Sequence, residues 1–326
     1  MTSMSARRCV VLLAALPLLA GCEVLAPVRP LPDVPDAAPD AAPDAAPDAA
    51  GDMGGGDGAG DASPPTATCD QSAPFAPPIL VYGLNRDPGI EQRISLSADE
   101  LTAYVAAGVV QGQTHLYVAS RASRGEPFGP LTPLSQLNGP GAEISVSVTA
   151  DGLRLFMDSD RSGRGRIYAA TRQTTAEPFG SPSLVQIDDN ADQFDPSVLP
   201  DGSAIYFTSN ATGVSLLYRA VLDGTTAETP TVVWANDARL PIASADELTL
   251  YFATDGAPGA AWGDVWVVTR QSRNAPFGNP TIVNEVNTSD TEYPQWISPD
   301  GCRLYLSRWL VADSTGYSYL AERPHN

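Results

Sequence analysis

One phrase, repeated five times about fifty residues apart, restricts what this chain can fold into more than any other feature. The pairs Asp99-Glu100, Asp151-Gly152, Asp201-Gly202, Asp246-Glu247 and Asp300-Gly301 recur at intervals of 52, 50, 45 and 54 residues. Each pair follows one apolar-rich run and precedes another, at 101–105, 153–157, 204–207, 248–252 and 303–306. Asp-Gly between two such runs reads as a hairpin turn, because Asp tolerates turn conformations and Gly reaches positive φ without steric cost. The two Asp-Glu copies lack that glycine, and a different turn is expected there. A third run follows each hairpin, at 116–118, 167–169, 216–218, 265–267 and 317–319. A fourth follows Pro-Phe-Gly at 127–129, 178–180 and 276–278, while the third repeat has Thr229-Pro230 in its place. Four short strands per fifty-residue unit predict an all-β chain, a five-bladed β-propeller with one blade per repeat.

The ends of the repeat array predict how the ring closes. Residues 73–85 align with 126–138, the fourth-strand segment of the first repeat, and the chain stops after a third strand. The N-terminal strand is therefore expected to complete the last blade, which removes an open sheet edge. Cys69 and Cys302 both fall near this closure, and a disulfide between them is expected. Two free thiols are the alternative, since Cys69 borders a segment of disordered composition.

Ahead of the repeats lie two segments of different character. Arg7-Arg8 and an apolar run from Val10 to Ala20 form a leader too short to span a bilayer, ending in Leu19-Ala20-Gly21-Cys22. This resembles the lipobox of bacterial lipoproteins, which implies that 1–21 is removed and that Cys22 carries lipid. An ordinary secretory signal with an incidental cysteine is the alternative. Residue 23 is Glu rather than Asp, which by the same resemblance favours the outer membrane over inner-membrane retention. A membrane contact through the N-terminal lipid follows. Residues 22–72 read as a tether: Asp-Ala-Ala-Pro repeats, then Gly- and Asp-rich sequence, with ten acids and one base over 23–72. Proline every fourth residue blocks a helix, and few large apolar residues are present to bury. At roughly 3.1 Å per residue such a segment extends on the order of 150 Å at most. The folded part is then 73–326.

The repeat as a whole resembles the TolB-like β-propeller repeat of bacterial envelope proteins. The residues that carry it are Leu199-Pro200-Asp201-Gly202 with 203–210, Asp151-Gly152 with 158–163, and Ser298-Pro299-Asp300-Gly301. The resemblance implies a monomeric propeller in the cell envelope that binds a protein or a glycan, with no particular catalytic activity. The tether runs directly into the propeller, where the Tol-system protein has a further domain, so a Tol role is not implied.

Strand direction places candidate binding residues. Eight positions before each turn Asp stand Glu91, Glu143, Gln193, Ala238 and Glu292. They are expected to surround one mouth of the central channel, with Asp192 and Tyr293 nearby. The loops between second and third strands add Arg161, Trp262 and Trp309. Such a mouth suits a cation, a basic segment of a partner, or a sugar stacked on Trp; solvated or backbone-capping carboxylates are the structural alternative. The chain carries −19; with +2 in the leader and −9 in the tether, −12 remains on the folded part. That charge favours solubility and argues against nucleic acid. No cofactor, metal or catalytic residue is assigned. Only two histidines are present, His115 and His325, and no metal-ligand spacing, phosphate loop or nucleophile elbow appears. The enzymatic alternative is a glycoside-processing enzyme, which needs two carboxyls about 5–9.5 Å apart. Glu91, Glu143 and Glu292 are the set that could supply them.

Overall fold

The computed structural model describes residues 69–84, 93–109, 113–187, 191–254, 263–310 and 315–325. The leader, Cys22 and most of the tether lie outside the described residues, as do Glu91 and Trp262. The described residues form strands and turns with no helix, arranged as five antiparallel sheets. The chain enters on β1 (Ile79–Leu80). The first blade is β2 (Arg93–Leu96), β3 (Thr102–Val109), β4 (Gln113–Ser120) and β5 (Thr132–Pro133), and the second is β6 (Glu143–Val148), β7 (Arg154–Ser159), β8 (Arg166–Thr171) and β9 (Ser183–Leu184). The third is β10 (Gln193–Val198), β11 (Ala204–Ser209) and β12 (Leu216–Asp223), with β13 (Thr226–Ala227) and β14 (Thr231–Trp234) both on β12. The fourth is β15 (Arg239–Ala243), β16 (Thr249–Thr254), β17 (Asp264–Thr269) and β18 (Thr281–Ile282). The fifth is β19 (Thr291–Ile297), β20 (Arg303–Leu310) and β21 (Thr315–Glu322), completed by β1 through the pairs Ile79–Leu320 and Leu80–Tyr319. This is the five-bladed ring, closed by its N-terminal strand.

The closure is tied at more than one point. Cys69 and Cys302 form a disulfide across a sequence separation of 233. Cys69 bridges His325, and the Asp70 amide donates to the Pro324 carbonyl at 3.0 Å. The Ala76 amide donates to the Glu322 carbonyl at 2.7 Å. Cys69 to Ser72, which composition places in the tether, therefore carry ordered contacts; their polar side chains give no sign of them.

Alternation along each strand explains why the strands are apolar on both faces. Leu155 and Met157 pack with the first blade, while Phe156 between them packs with the third. Ala204 and Tyr206 pack toward the fourth blade, and Ile205 and Phe207 toward the second. Successive side chains point to opposite faces, and in a ring each face meets a neighbouring blade. The buried residues accordingly form five clusters, one at each blade junction.

The turns differ from expectation in one respect. Glu100 and Glu247 adopt φ of 63° and 62°, against 69–70° for Gly152, Gly202 and Gly301. All five repeats thus use the same left-handed residue after Asp. In four of them a Ser or Thr two residues before the Asp donates to its carboxylate: Ser97, Thr149, Ser244 and Ser298. The left-handed conformation costs a non-glycine residue about 1–2 kcal/mol. The glutamates sustain it because their side chains are used elsewhere in the fold. Glu247 accepts from the Arg219 Nε at 2.5 Å, the Arg219 Nη2 at 3.0 Å and the Tyr206 hydroxyl at 2.7 Å, all on the third blade. Glu100 accepts from the Arg303 Nε at 2.6 Å and the Tyr305 hydroxyl at 2.8 Å on the fifth. Both carboxylates are fully buried.

A second clasp recurs beside the first. Arg121, Arg172, Arg270 and Arg323 each follow a third strand. Each donates to the carbonyl of the left-handed turn residue of its own blade. Each also donates to a tyrosine of the preceding blade: Tyr305, Tyr104, Tyr206 and Tyr251. Each guanidinium lies 4.1–4.5 Å from the centroid of Phe128, Phe179, Phe277 or Phe75. The junction between the second and third blades breaks this pattern consistently. Phe156 stands where the other blades have tyrosine, Leu222 where they have arginine, and Pro-Phe-Gly is missing. Phe156 and Leu222 share one apolar cluster, and the turn carbonyls of Asp201 and Gly202 are instead bonded by Arg154 of the second blade, at 3.1 and 3.2 Å.

Candidate binding channel

First strands line the axis of the ring. On the Asp-Gly side the channel is apolar and narrow: Leu96, Val148, Val198, Ile242 and Trp296, one from each first strand, surround a cavity of about 40 Å³. The opposite end is polar. There Arg93, Asp237, Arg239, Thr254 and Tyr293 border an opening of about 90 Å³. Small-molecule sites are commonly about 300–1,000 Å³, so neither space matches a typical substrate pocket.

Of the described residues picked out by counting back from each turn, Ala238 borders this mouth, while Glu143, Gln193 and Glu292 do not line it. Glu143, Gln193, Ala238 and Glu292 are buried, the two glutamates completely. Glu143 accepts from the Arg161 Nη2 at 2.8 Å and the Gly139 amide at 3.1 Å, and its other oxygen lies 3.0 Å from the His115 Nδ1. Glu292 accepts from the Arg308 Nε at 2.6 Å and the Thr288 hydroxyl at 2.5 Å. The two sites are copies. Arg161 also donates to the Leu137 carbonyl and stacks on Tyr168 at 4.9 Å; Arg308 donates to the Val286 carbonyl and stacks on Tyr319 at 4.6 Å. Each glutamate–arginine pair fastens the segment arriving from the preceding blade to the blade it enters. Removing one partner would leave a buried charge, which is why the motif persists as a pair. The expectation of exposed acids at these positions is therefore corrected to structural pairing, and Arg161 serves the same pair. The Gln193 amide donates to the Gly165 carbonyl at 3.1 Å.

The remaining candidates fall apart in space or stay at the rim. Tyr293 does border the polar mouth, where Arg93 lies over its ring at 4.9 Å. Asp192 is partly exposed and sits 3.8 Å from the Arg164 Nε in a loop ion pair. Trp309 is half-buried on β20, where it pairs with Thr291 and Gly316.

Between the second and third blades lie two carboxylates that counting back from the turns misses. Asp158 on β7 is 1% exposed, and its Oδ1 accepts from the Ser145 amide at 2.6 Å. Asp195 on β10 accepts from the Ser145 hydroxyl at 3.3 Å and the Thr208 hydroxyl at 3.0 Å. It has φ of 53°, at the break in the β10–β11 register between Phe194 and Ser197. That bulge turns the Asp195 side chain toward the second blade. Burial, and then the charge of Asp195, push the Asp158 carboxyl up to about 8, so it is mostly protonated at neutral pH. The sequence signal was slight: Asp158 closes the apolar run 155–157, and Asp195 stands between Phe194 and Pro196.

No family model and no curated protein sequence matches this chain. Among solved structures it is similar to an α-L-arabinofuranosidase from Podospora anserina, at 15% identity over 79% of this chain and 98% of that one, with a TM-score of 0.50. A putative TolB from Agrobacterium tumefaciens is 17% identical over 75% of this chain and 78% of that one, with a TM-score of 0.48. TolB from Acinetobacter baumannii is 18% identical over 73% of this chain and 56% of that one, at 0.45. At such identities the likeness extends to the propeller fold alone. Propellers host unrelated functions, so the fold does not choose between binding and hydrolysis. Among the described residues no helix is long and apolar enough to cross a membrane.

Proposed function

We propose that the chain is an envelope lipoprotein, anchored through Cys22 in the outer membrane, whose propeller binds a protein or glycan partner without acting on it. The observation that supports this most is the fate of the carboxylates. Glu100, Glu143, Glu247 and Glu292 are all buried and paired with arginine, so they hold blades together and offer no acid or base to a substrate. The partly exposed mouth, with Arg93, Arg239, Tyr293 and Asp237, presents mixed charge and an aromatic ring to a partner's surface. A tether of the composition seen in 22–72 would let the ring reach that partner away from the bilayer.

A glycoside-processing enzyme is the second reading, and one observation favours it. Burial pushes the Asp158 carboxyl up to about 8, and a carboxyl that keeps its proton near neutral pH is what a general acid needs. Against it stand the burial of Asp158 and the small size of the mouth. The test is a panel of chromogenic glycosides and plant and bacterial polysaccharides offered to the full chain. The binding reading expects no turnover, with retention on a glycan or partner column that weakens when Tyr293 becomes Ala. Turnover abolished by Asp195→Asn would establish the enzyme instead. Anchoring is tested by Cys22→Ser, which should move the protein from the membrane to the soluble fraction.

A further inference from the structure

Asp158 and Asp195 are linked through a single residue. Ser145 donates its amide to one carboxylate and its hydroxyl to the other, so both are drawn to one layer between the second and third blades. Two neighbouring acids where water is scarce avoid their repulsion either by keeping a proton or by taking up a cation. The Asp158 Oδ2 is buried and accepts no hydrogen bond. Beside Asp195 are oxygen atoms with capacity to spare. The Ser145 and Thr208 hydroxyls spend their protons on Asp195 and keep lone pairs for an acceptor role. Arg93 brings a positive charge near Asp158, but its guanidinium lies over the Tyr293 ring.

We propose that this layer binds a divalent cation, calcium, between the Asp158 Oδ2 and Asp195, with the Ser145 and Thr208 hydroxyls and water completing an all-oxygen shell. No three His, Cys, Asp or Glu side chains gather into a metal cluster among the described residues, so the shell is two carboxylates supplemented by neutral oxygens. Calcium accepts such irregular sets of oxygen ligands at 2.3–2.6 Å, whereas magnesium demands near-octahedral geometry and keeps its water. The ion would cross-link the second and third blades at the junction that lacks the Arg–Tyr–Phe clasp.

The test uses the full chain, stripped with EDTA and then titrated with calcium or magnesium chloride. At one hundred times the dissociation constant the melting temperature is expected to rise by roughly 5–10 °C. Isothermal calorimetry should show a binding heat with calcium. Asp195→Asn and the milder Thr208→Val should each weaken calcium at least about tenfold, while Asp192→Asn on the rim leaves it unchanged. Two results overturn the proposal. One is absence of both heat and melting shift with either metal. The other is calcium binding that persists undiminished in Asp195→Asn and Thr208→Val, which would place the ion elsewhere.

Discussion

Glu247 tests the central physical claim about this ring, that a strained turn residue is held in place by a charge network between blades. Two substitutions separate the two effects. Glu247→Ala keeps the left-handed residue with a side chain and removes the carboxylate that serves Arg219 and Tyr206. Breaking a buried ion pair from one side costs about 3–5 kcal/mol. Glu247→Gly removes the same carboxylate but relieves the backbone, which returns about 1–2 kcal/mol. The expected order is wild type most stable, then Gly, then Ala, with the last two separated by that smaller amount. Urea unfolding of the full chain at neutral pH measures it, provided the slope with denaturant stays constant across the series. If Glu247→Gly equals or exceeds the wild type, the carboxylate contributes nothing net and the argument fails. If Ala and Gly coincide, the turn stores no strain. A pH series adds an independent check. Burial opposes the ionised form of Glu247, yet the bonds from Arg219 and Tyr206 overcome it and hold the carboxyl below its usual 4.5. A depressed acid stabilises the fold above its unfolded value and loses that contribution as pH falls through its folded value. The gap between wild type and Glu247→Gln should therefore narrow in acid and be full at neutral pH.

Two further outcomes are expected. Replacing Cys302 with Ser frees a loop of sequence separation 233, and chain entropy alone puts the loss at about 5 kcal/mol; a reducing agent should produce the same drop in the wild type and none in the variant, and a loss below about 1 kcal/mol would show that the β1–β21 pairing holds the ring unaided. Asp158 acts with the opposite sign to Glu247. Its folded value of about 8 exceeds the usual 3.8, so in EDTA the wild type should lose stability progressively as pH rises from about 4 to about 8. Asp158→Asn should flatten that slope, gaining on the order of a few kcal/mol relative to wild type by pH 9, and an unchanged slope would remove Asp158 as its source.

The number of blades, the four-strand unit and the place of closure are legible in the repeat alone. These follow from local rules that act at every repeat: period-two burial, a turn residue with positive φ, and an unmatched strand at each end of the array. It also held the pattern of the Arg–Tyr–Phe clasp, since arginine recurs after every third strand except at Leu222, together with the loss of tyrosine at Phe156. Which hydroxyl each arginine reaches could not be read, because each tyrosine belongs to a neighbouring blade, sixty-four or more residues distant in the sequence. The same limit governed the candidate site. Glu143 and Glu292 look like a ring of mouth acids when only their spacing is known. The tertiary structure folds an arginine over each and turns them into struts. Asp158 and Asp195 look like isolated charges in two separate strands until the ring sets the second blade against the third. Spacing along a chain fixes which face a residue takes; only the closed ring decides whether that face meets solvent, a counter-charge or another acid.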